Sequence, residues 1–405
     1  MSLFLESENR DKSYCGVKYF WRFFLIVLLH PFFNNVAFAN DLLEWDRVRL
    51  NANLSISERY TDNIYLTHED EMDDFVTRLS PELELESALT THSKVNFTYT
   101  GIFEHYNEAD NFRSDQHFGD VNFQIESPKE STFKLGVNFE NGTAQPDSTD
   151  DESADFWLTE IYSDLEWRMT PATFLGAGYQ HSVQNFDQKR YQRDDFVRDK
   201  VHLDILYTRS RKLPLLLEYR LEKQVNDNIE PDSGELISHA ILAGCRWRPE
   251  RRLSGTFELG YFWSQFNQTD AFDGWTIDAD LLYHISPFTD IEISANRTVR
   301  ISVYAERDTL DYNIFSSYGL TLSNRRLDPL ELSVAGTYEN RDFRQISAET
   351  SGREDDLYRF SIQSDYQLKK WLALSVDYSY RINQSDVMSQ EYQENIVQFE
   401  VTFSI

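Results

Sequence analysis

The chain has 405 residues, with 39 Lys or Arg against 68 Asp or Glu, a net charge of −29 at pH 7. Such acidity excludes a nucleic-acid partner, which needs a basic surface. Beyond residue 39 no apolar stretch approaches the ~20 residues of a spanning helix, so a helical membrane protein is excluded too.

The N-terminal segment carries an export signal. Lys18 and Arg22 precede the apolar run Phe23–Leu29, and Ala37-Phe38-Ala39 offers a small-residue cleavage site before Asn40. The expected division is therefore 1–39 signal peptide, cut between Ala39 and Asn40, and 40–405 mature protein. Cys15 leaves with the signal and Cys245 stays alone, so neither an intramolecular disulfide nor a cysteine metal cluster can form.

From there the chain alternates. Val48, Leu50, Ala52, Leu54 and Ile56 take every second position of a first strand. After the polar segment Ser57–Asp74 come Leu79, Pro81, Leu83 and Leu85, then, past a short break, Val95, Phe97, Tyr99, Gly101 and Phe103. Val121, Phe123 and Ile125 form a fourth strand and Phe133–Phe139 a fifth. Further strands centre on Ile161, Tyr179, Leu203, Tyr219, Ile241, Phe257, Ala279, Ala295, Tyr318, Val334 and Ile362. The last hairpin repeats the pattern at Leu372–Ile382 and Val397–Ile405. Period-2 alternation marks strands with one apolar and one polar face. Runs of about 10 residues suit tilted strands crossing a bilayer.

The connections alternate too: long and polar (Asn141–Asp155, Arg341–Asp355), then short (Arg168–Ala172, Lys369–Lys370). The fold expected is a transmembrane, antiparallel, up-and-down β-barrel of about eighteen strands, with short turns periplasmic and long loops extracellular. Trp45, Trp167, Trp247 and Trp371 sit at short-turn or terminal ends of strands, and Trp157, Trp263 and Trp275 at long-loop ends. Two soluble domains would bury some of these in their cores; aromatic girdles at two membrane interfaces account for all seven.

The apolar faces also assign an inner wall. If Leu79, Pro81, Leu83 and Leu85 meet lipid, the pleat turns Glu82, Glu84 and Glu86 inward. The same register turns in Asp120, Glu160, Asp164, Glu166, Glu218, Glu222, Glu258, Asp278, Asp280, Glu292 and Glu331, and the bases Arg49, Lys134, Lys200, Arg220, Arg300 and Arg381. An excess of carboxylates favours cations, whereas cross-strand pairing would merely hydrate the wall. The acidic loop segments His68–Asp74 and Asp147–Asp155 lack EF-hand spacing and read as solvated loops rather than Ca²⁺ sites. The histidines form no H-E-x-x-H and no G-x-S-x-G occurs, so no enzyme, metal site or cofactor is expected.

Tyr60-Thr61-Asp62-Asn63-Ile64-Tyr65, with Ser80-Pro81-Glu82-Leu83 beyond it, resembles the N-terminal hairpin of the putative β-barrel porin type 2 outer-membrane proteins. Length, strand number and loop rhythm agree with that family. The resemblance implies an outer-membrane pore of a Gram-negative cell, often one associated with exopolysaccharide export. Its partners would be outer-membrane lipid and lipopolysaccharide, the barrel assembly machinery, and a polysaccharide with its periplasmic export components. A general or solute-specific diffusion porin, and a structural barrel scaffolding a partner, are the alternatives.

Overall fold

The computed structural model describes residues 47–404 apart from 110–113, 145–153, 189–194, 211–212, 227–233, 248–251, 267–271, 302–310 and 346–352. The signal segment with Ala39 and Asn40, and Trp45, lie outside the described residues. Eighteen strands follow one another: β1 (Val48–Thr61), β2 (Asp74–Thr90), β3 (Ser93–Tyr106), β4 (Ser114–Glu126), β5 (Thr132–Ala144), β6 (Ala154–Thr170), β7 (Thr173–Phe186), β8 (Phe196–Tyr207), β9 (Leu215–Val225), β10 (Glu235–Trp247), β11 (Leu253–Phe266), β12 (Phe272–Ser286), β13 (Thr289–Ile301), β14 (Asp311–Leu327), β15 (Leu330–Gln345), β16 (Glu354–Lys369), β17 (Leu372–Ser385) and β18 (Tyr392–Ser404). Each pairs antiparallel with its sequence neighbours, and β1 closes on β18 from Asn53↔Ser404 to Thr61↔Ile396. The sheet is a closed, all-antiparallel barrel.

Strand length is where the sequence-based boundaries need correction. β5 runs on to Ala144 and β15 to Gln345, while β6 and β16 begin at Ala154 and Glu354. The loops expected over Asn141–Asp155 and Arg341–Asp355 are therefore shorter, and Arg341 is a strand residue. A bilayer asks for only about 9–11 residues per strand, and many of these have 13–17. The apolar belt that alternation detects is thus shorter than the hydrogen-bonded strand.

Several short ends are pinned by side chains. Thr90 Oγ1 meets Ser93 Oγ at 2.8 Å, and Thr170 Oγ1 donates to Thr173 Oγ1 at 3.0 Å, each spanning a two-residue turn. Pro81 has no N–H to donate, and the β2–β3 ladder skips from Leu79↔Phe103 to Glu82↔Thr100 around it.

The Tyr60–Tyr65 stretch sits at the closure. Thr61 Oγ1 donates to Glu394 Oε1 at 2.6 Å. Asp62 accepts from the Asn395 backbone N–H at 2.7 Å and from its Nδ2 at 2.8 Å. Asn63, fully buried, donates through Nδ2 to the carbonyls of Gln393 and Thr67 and accepts the Thr67 N–H. Part of segment 62–73 folds against the strand ends. Tyr65 packs with Val76, Tyr106 and Ala109, with Ile64 and Met72 against them. Asp74, from the acidic run, accepts the N–H groups of Asn107, Glu108 and Ala109 at 3.1 Å, tying this loop to the next.

These bonds hold the first strand to the last at the long-loop end. Replacing Asp62 or Asn63 by Ala removes bonds whose partners, Asn395, Gln393 and Thr67, are half-buried or exposed, at about 0.5–1.5 kcal/mol each. The expected outcome is a barrel that folds but converts from its compact to its slower gel band at lower temperature. An unchanged conversion temperature in both variants would count against this clasp.

Candidate functional site: the inner wall

Two faces follow from the pleat, and long-range contacts tell which is concave. Arg246 on β10 lies 3.6 Å from Glu166 on β6 and 3.8 Å from Asp204 on β8. Four strands span about 19 Å along a sheet, so side chains can meet across them only inside the curve. The opposite face carries large apolar side chains, with Leu203, Leu217, Leu259 and Leu320 each about half exposed (52%, 51%, 51% and 54%). The polar face is inside and the apolar face outside.

On that inner face the densest charge cluster centres on Arg220. Its guanidinium donates to Glu218 beside it, to Glu258 on β11 at 2.9 Å and to Asp278 on β12 at 2.8 Å. One cation thus serves three carboxylates. Glu258 is almost fully buried, and its Oε1 has no hydrogen-bond partner among the described residues. Asn138 and Ser182 donate to Glu160 at 3.1 and 3.2 Å, and Lys200 lies 3.2 Å from Glu222. His202 is 3.6 Å from Asp164. Room for these side chains comes from β7. A Cβ on Gly176 would collide with the Asp204 carboxylate, and one on Gly178 with His202 and Asp164. A cavity of about 1180 Å³ runs along this arc, from Asn138 and Glu160 past Asp280 to Arg300.

Elsewhere the charges are less neutralised. Among the described residues Glu82 and Glu84 accept only the side-chain amides of Asn53 and Asn51, at 3.0 and 3.1 Å. Glu86 has Arg49 at 3.8 Å. Asp120 accepts from Asn122 at 2.6 Å. Glu331 stands directly across from Asp365. Glu292 lies on the same face of β13 as Arg300, which sits 3.6 Å over the Phe315 ring. Arg381 is bonded to Glu394.

Pairing parity puts on this face several arginines that alternation alone passed over: Arg59, Arg78, Arg198, Arg246, Arg341 and Arg359. Arg59 and Arg78 share Glu104, and Arg341 is 3.2 Å from Glu339. Charge is divided along the strands of the β13–β2 arc. Arg59, Arg78, Arg300, Arg341, Arg359 and Arg381 stand near long-loop ends, whereas Glu86, Glu292, Glu331, Asp365 and Glu400 stand near short-turn ends.

The described tryptophans keep to strand ends on the outer face. Trp157 packs on Phe139 at 5.0 Å, Trp263 stacks on His239 at 5.4 Å, and Arg297 lies 4.5 Å over Trp275. Trp167 is exposed near the end of β6, Trp247 closes β10, and Trp371 in the β16–β17 turn stacks on Phe403 at 6.4 Å. His117 bonds the Tyr99 hydroxyl at 2.9 Å and meets the Phe103 ring edge-on.

Residues 238–405, from within β10 to the end of the chain, match the family model described as putative beta-barrel porin 2. No curated protein matches the chain. Among solved structures, OpdK of Pseudomonas aeruginosa is 11% identical with a TM-score of 0.46, covering 88% of this chain and 98% of that one. OccAB3 of Acinetobacter baumannii (10%, TM-score 0.47, 89% and 100%) and OpdQ of Pseudomonas aeruginosa (10%, 0.48, 88% and 97%) are similar to a comparable degree. The chain folds as a closed eighteen-strand antiparallel β-barrel, and residues 238–405 of it are similar to the porin family described.

Arg220 is the group whose loss this wall should feel most. Arg220→Gln strands Glu218, Glu258 and Asp278 together. About 2–3 kcal/mol of destabilisation is expected, less than for a fully buried pair because the guanidinium is one-third exposed. Adding Glu258→Gln should recover part of it. Urea unfolding of the refolded barrel measures both, and an Arg220→Gln barrel of undiminished stability would refute the reading.

Proposed function

We propose that this protein is a diffusion porin of the Gram-negative outer membrane, a passive channel for small hydrophilic solutes. One observation carries the reading: a closed eighteen-strand sheet, apolar outside, whose inner face is lined with charges and an open cavity. Barrels of this size leave an aqueous channel. Neither the family description nor the wall carries polysaccharide export, so the preference for an export conduit gives way to diffusion. No catalytic step is invoked. The tryptophans at strand ends serve as girdles at the two interfaces, and lipid and lipopolysaccharide surround the barrel.

The carboxylates from mid-strand to the short-turn end support cation preference. Glu82 and Glu84 meet neutral amides, and Glu331 faces another carboxylate, so pairing leaves net negative charge there. Such rings favour cations.

Two measurements test this. Purified barrel in a planar bilayer should give stepwise conductance, and a silent protein would end the porin reading. Reversal potentials in a KCl gradient should show a cation preference that falls in the Glu82→Gln/Glu84→Gln/Glu86→Gln variant. An anion-selective wild type would overturn the assigned selectivity.

A further inference from the structure

Pairing parity puts one arginine, Arg297, on the lipid-facing side of β13, opposite Ile277 and two residues from Ala295. Its guanidinium lies over the Trp275 ring and donates through Nη1 to Ser316 Oγ at 2.8 Å. Its buried Nε has no hydrogen-bond partner, and it makes no ion pair among the described residues. From Arg297 a polar row crosses the sheet: Ser316 on β14, Asn340 on β15, Asp356 on β16 and Gln384 on β17 are successive cross-strand partners. Two residues nearer the short-turn end, the same pairings line up Tyr318, Tyr338 and Tyr358, with ring centroids 6.2 and 5.1 Å apart. One row further on, Gly336 stands between Leu320 and Phe360. A Cβ on this glycine would meet nothing within 4 Å, and a groove of about 410 Å³ opens there among Tyr318, Tyr338, Tyr358, Phe360 and Tyr380. Polar row, tyrosine band and apolar hollow follow one another toward mid-membrane, in the order of a lipid's headgroup and chains.

We propose that this outer face of β13–β17 holds one molecule of lipopolysaccharide by its lipid A. A phosphate sits on Arg297, sugar hydroxyls lie along Asn340, Asp356 and Gln384, and an acyl chain fills the hollow at Gly336. Charge complementarity selects the occupant. A guanidinium facing lipid is costly at depth and tolerated near the interface, and its planar fork matches a phosphate. Asp356 accepts the Tyr338 hydroxyl at 2.7 Å and the Asn340 amide at 2.9 Å through Oδ1, which leaves Oδ2 to accept from a hydroxyl. Arg297 and Asn340 are two strands apart, about 10 Å. A phosphorylated disaccharide bridges that span, and a single phosphodiester headgroup does not. The polar row stands toward the long-loop ends, which face outward in barrels of this kind, so it meets the leaflet that carries lipopolysaccharide. The proposal rests on the outer-membrane reading and not on conduction.

Hexa-acylated lipid A is the probe, with its dephosphorylated form and phosphatidylglycerol as comparisons. Native mass spectrometry of the refolded barrel in detergent should show one lipid A retained per barrel, and both comparisons retained far less. Arg297→Gln should weaken retention about tenfold, as expected for one lost charge-assisted pair. Arg297→Lys should recover part of it by keeping charge without the fork. Gly336→Leu, which fills the hollow where a side chain meets no neighbour, should weaken retention as well. Heat-modifiability on gels checks that each variant folds. Retention equal to wild type in either Arg297→Gln or Gly336→Leu overturns the site, as does equal retention of phosphatidylglycerol, the mark of a boundary lipid only. A lipid-free dimer or trimer that Gly336→Leu disperses would make this face a contact between copies and overturn it too. Both substitutions lie outside the lumen, so conductance should not change. Retention of lipid A by a barrel that carries no current would remove the porin reading and leave the site. A conducting barrel that retains no lipid A would do the reverse.

Discussion

Everything in this molecule depends on having no free sheet edge. A peptide N–H or C=O left unpaired in hydrocarbon costs several kcal/mol, so strands can cross a bilayer only if the sheet closes. Here closure is one ladder, β1 against β18, between residues more than three hundred positions apart. It is reinforced where the ladder would fray. Thr61, Asp62 and Asn63 reach β18 by side chain and backbone, and Asn63 closes a local turn by bonding Thr67. A short polar motif at the first hairpin is therefore a device of closure, which explains Asp and Asn there: both satisfy backbone donors with short side chains.

Closure sets the side of every residue, because each strand's alternate positions then belong to lipid or lumen. The two sides differ in how tightly they are constrained. A charge on the outer face of the belt costs about 2–4 kcal/mol at mid-membrane, so Leu203, Leu217 and Leu259 admit little choice. On the inner face, water and counter-ions are present, and a solvated ion pair is worth about 0–1 kcal/mol. Glu82 and Glu84 can thus face nothing better than asparagine amides at little cost in stability. The pattern of inner charges is consequently set less by folding than that of the outer face. Arg220 is an exception, since it joins three strands and its removal concentrates charge on a buried Glu258.

The faces of this barrel were legible in sequence to the extent that alternation reports burial. Leu79, Leu83 and Leu85 against Glu82, Glu84 and Glu86 is a period-2 signal that no competing structure explains, and each of those glutamates pairs with β1 on the face it implies. The pattern failed at the ends. Past the hydrocarbon layer both faces of a strand are polar, so the alternation stops while the hydrogen bonds continue. Arg59 and Arg341 lie in such extensions and read as loop. Contacts across the lumen were illegible for another reason. Periodicity tells which way Arg246 points, but that it meets Glu166 four strands away depends on the curvature of the closed sheet.

Closure also bears on the extent of the family match. Residues 238–405 span β10 to β18, and an open sheet ending at those two strands would present two unpaired edges. In a membrane such a half has no stable existence. β9 pairs with β10 and β1 with β18, so the unmatched strands complete one barrel rather than form a second unit. Inner-wall residues from both parts meet directly: Arg246 of the matched part holds Glu166 and Asp204 of the other, and Arg381–Glu394 is bonded to Thr61. A strand must supply only its alternation and backbone bonds, which many sequences satisfy. The inner charges are freer still, and it is there that one barrel of this architecture can differ from another in the solutes it admits.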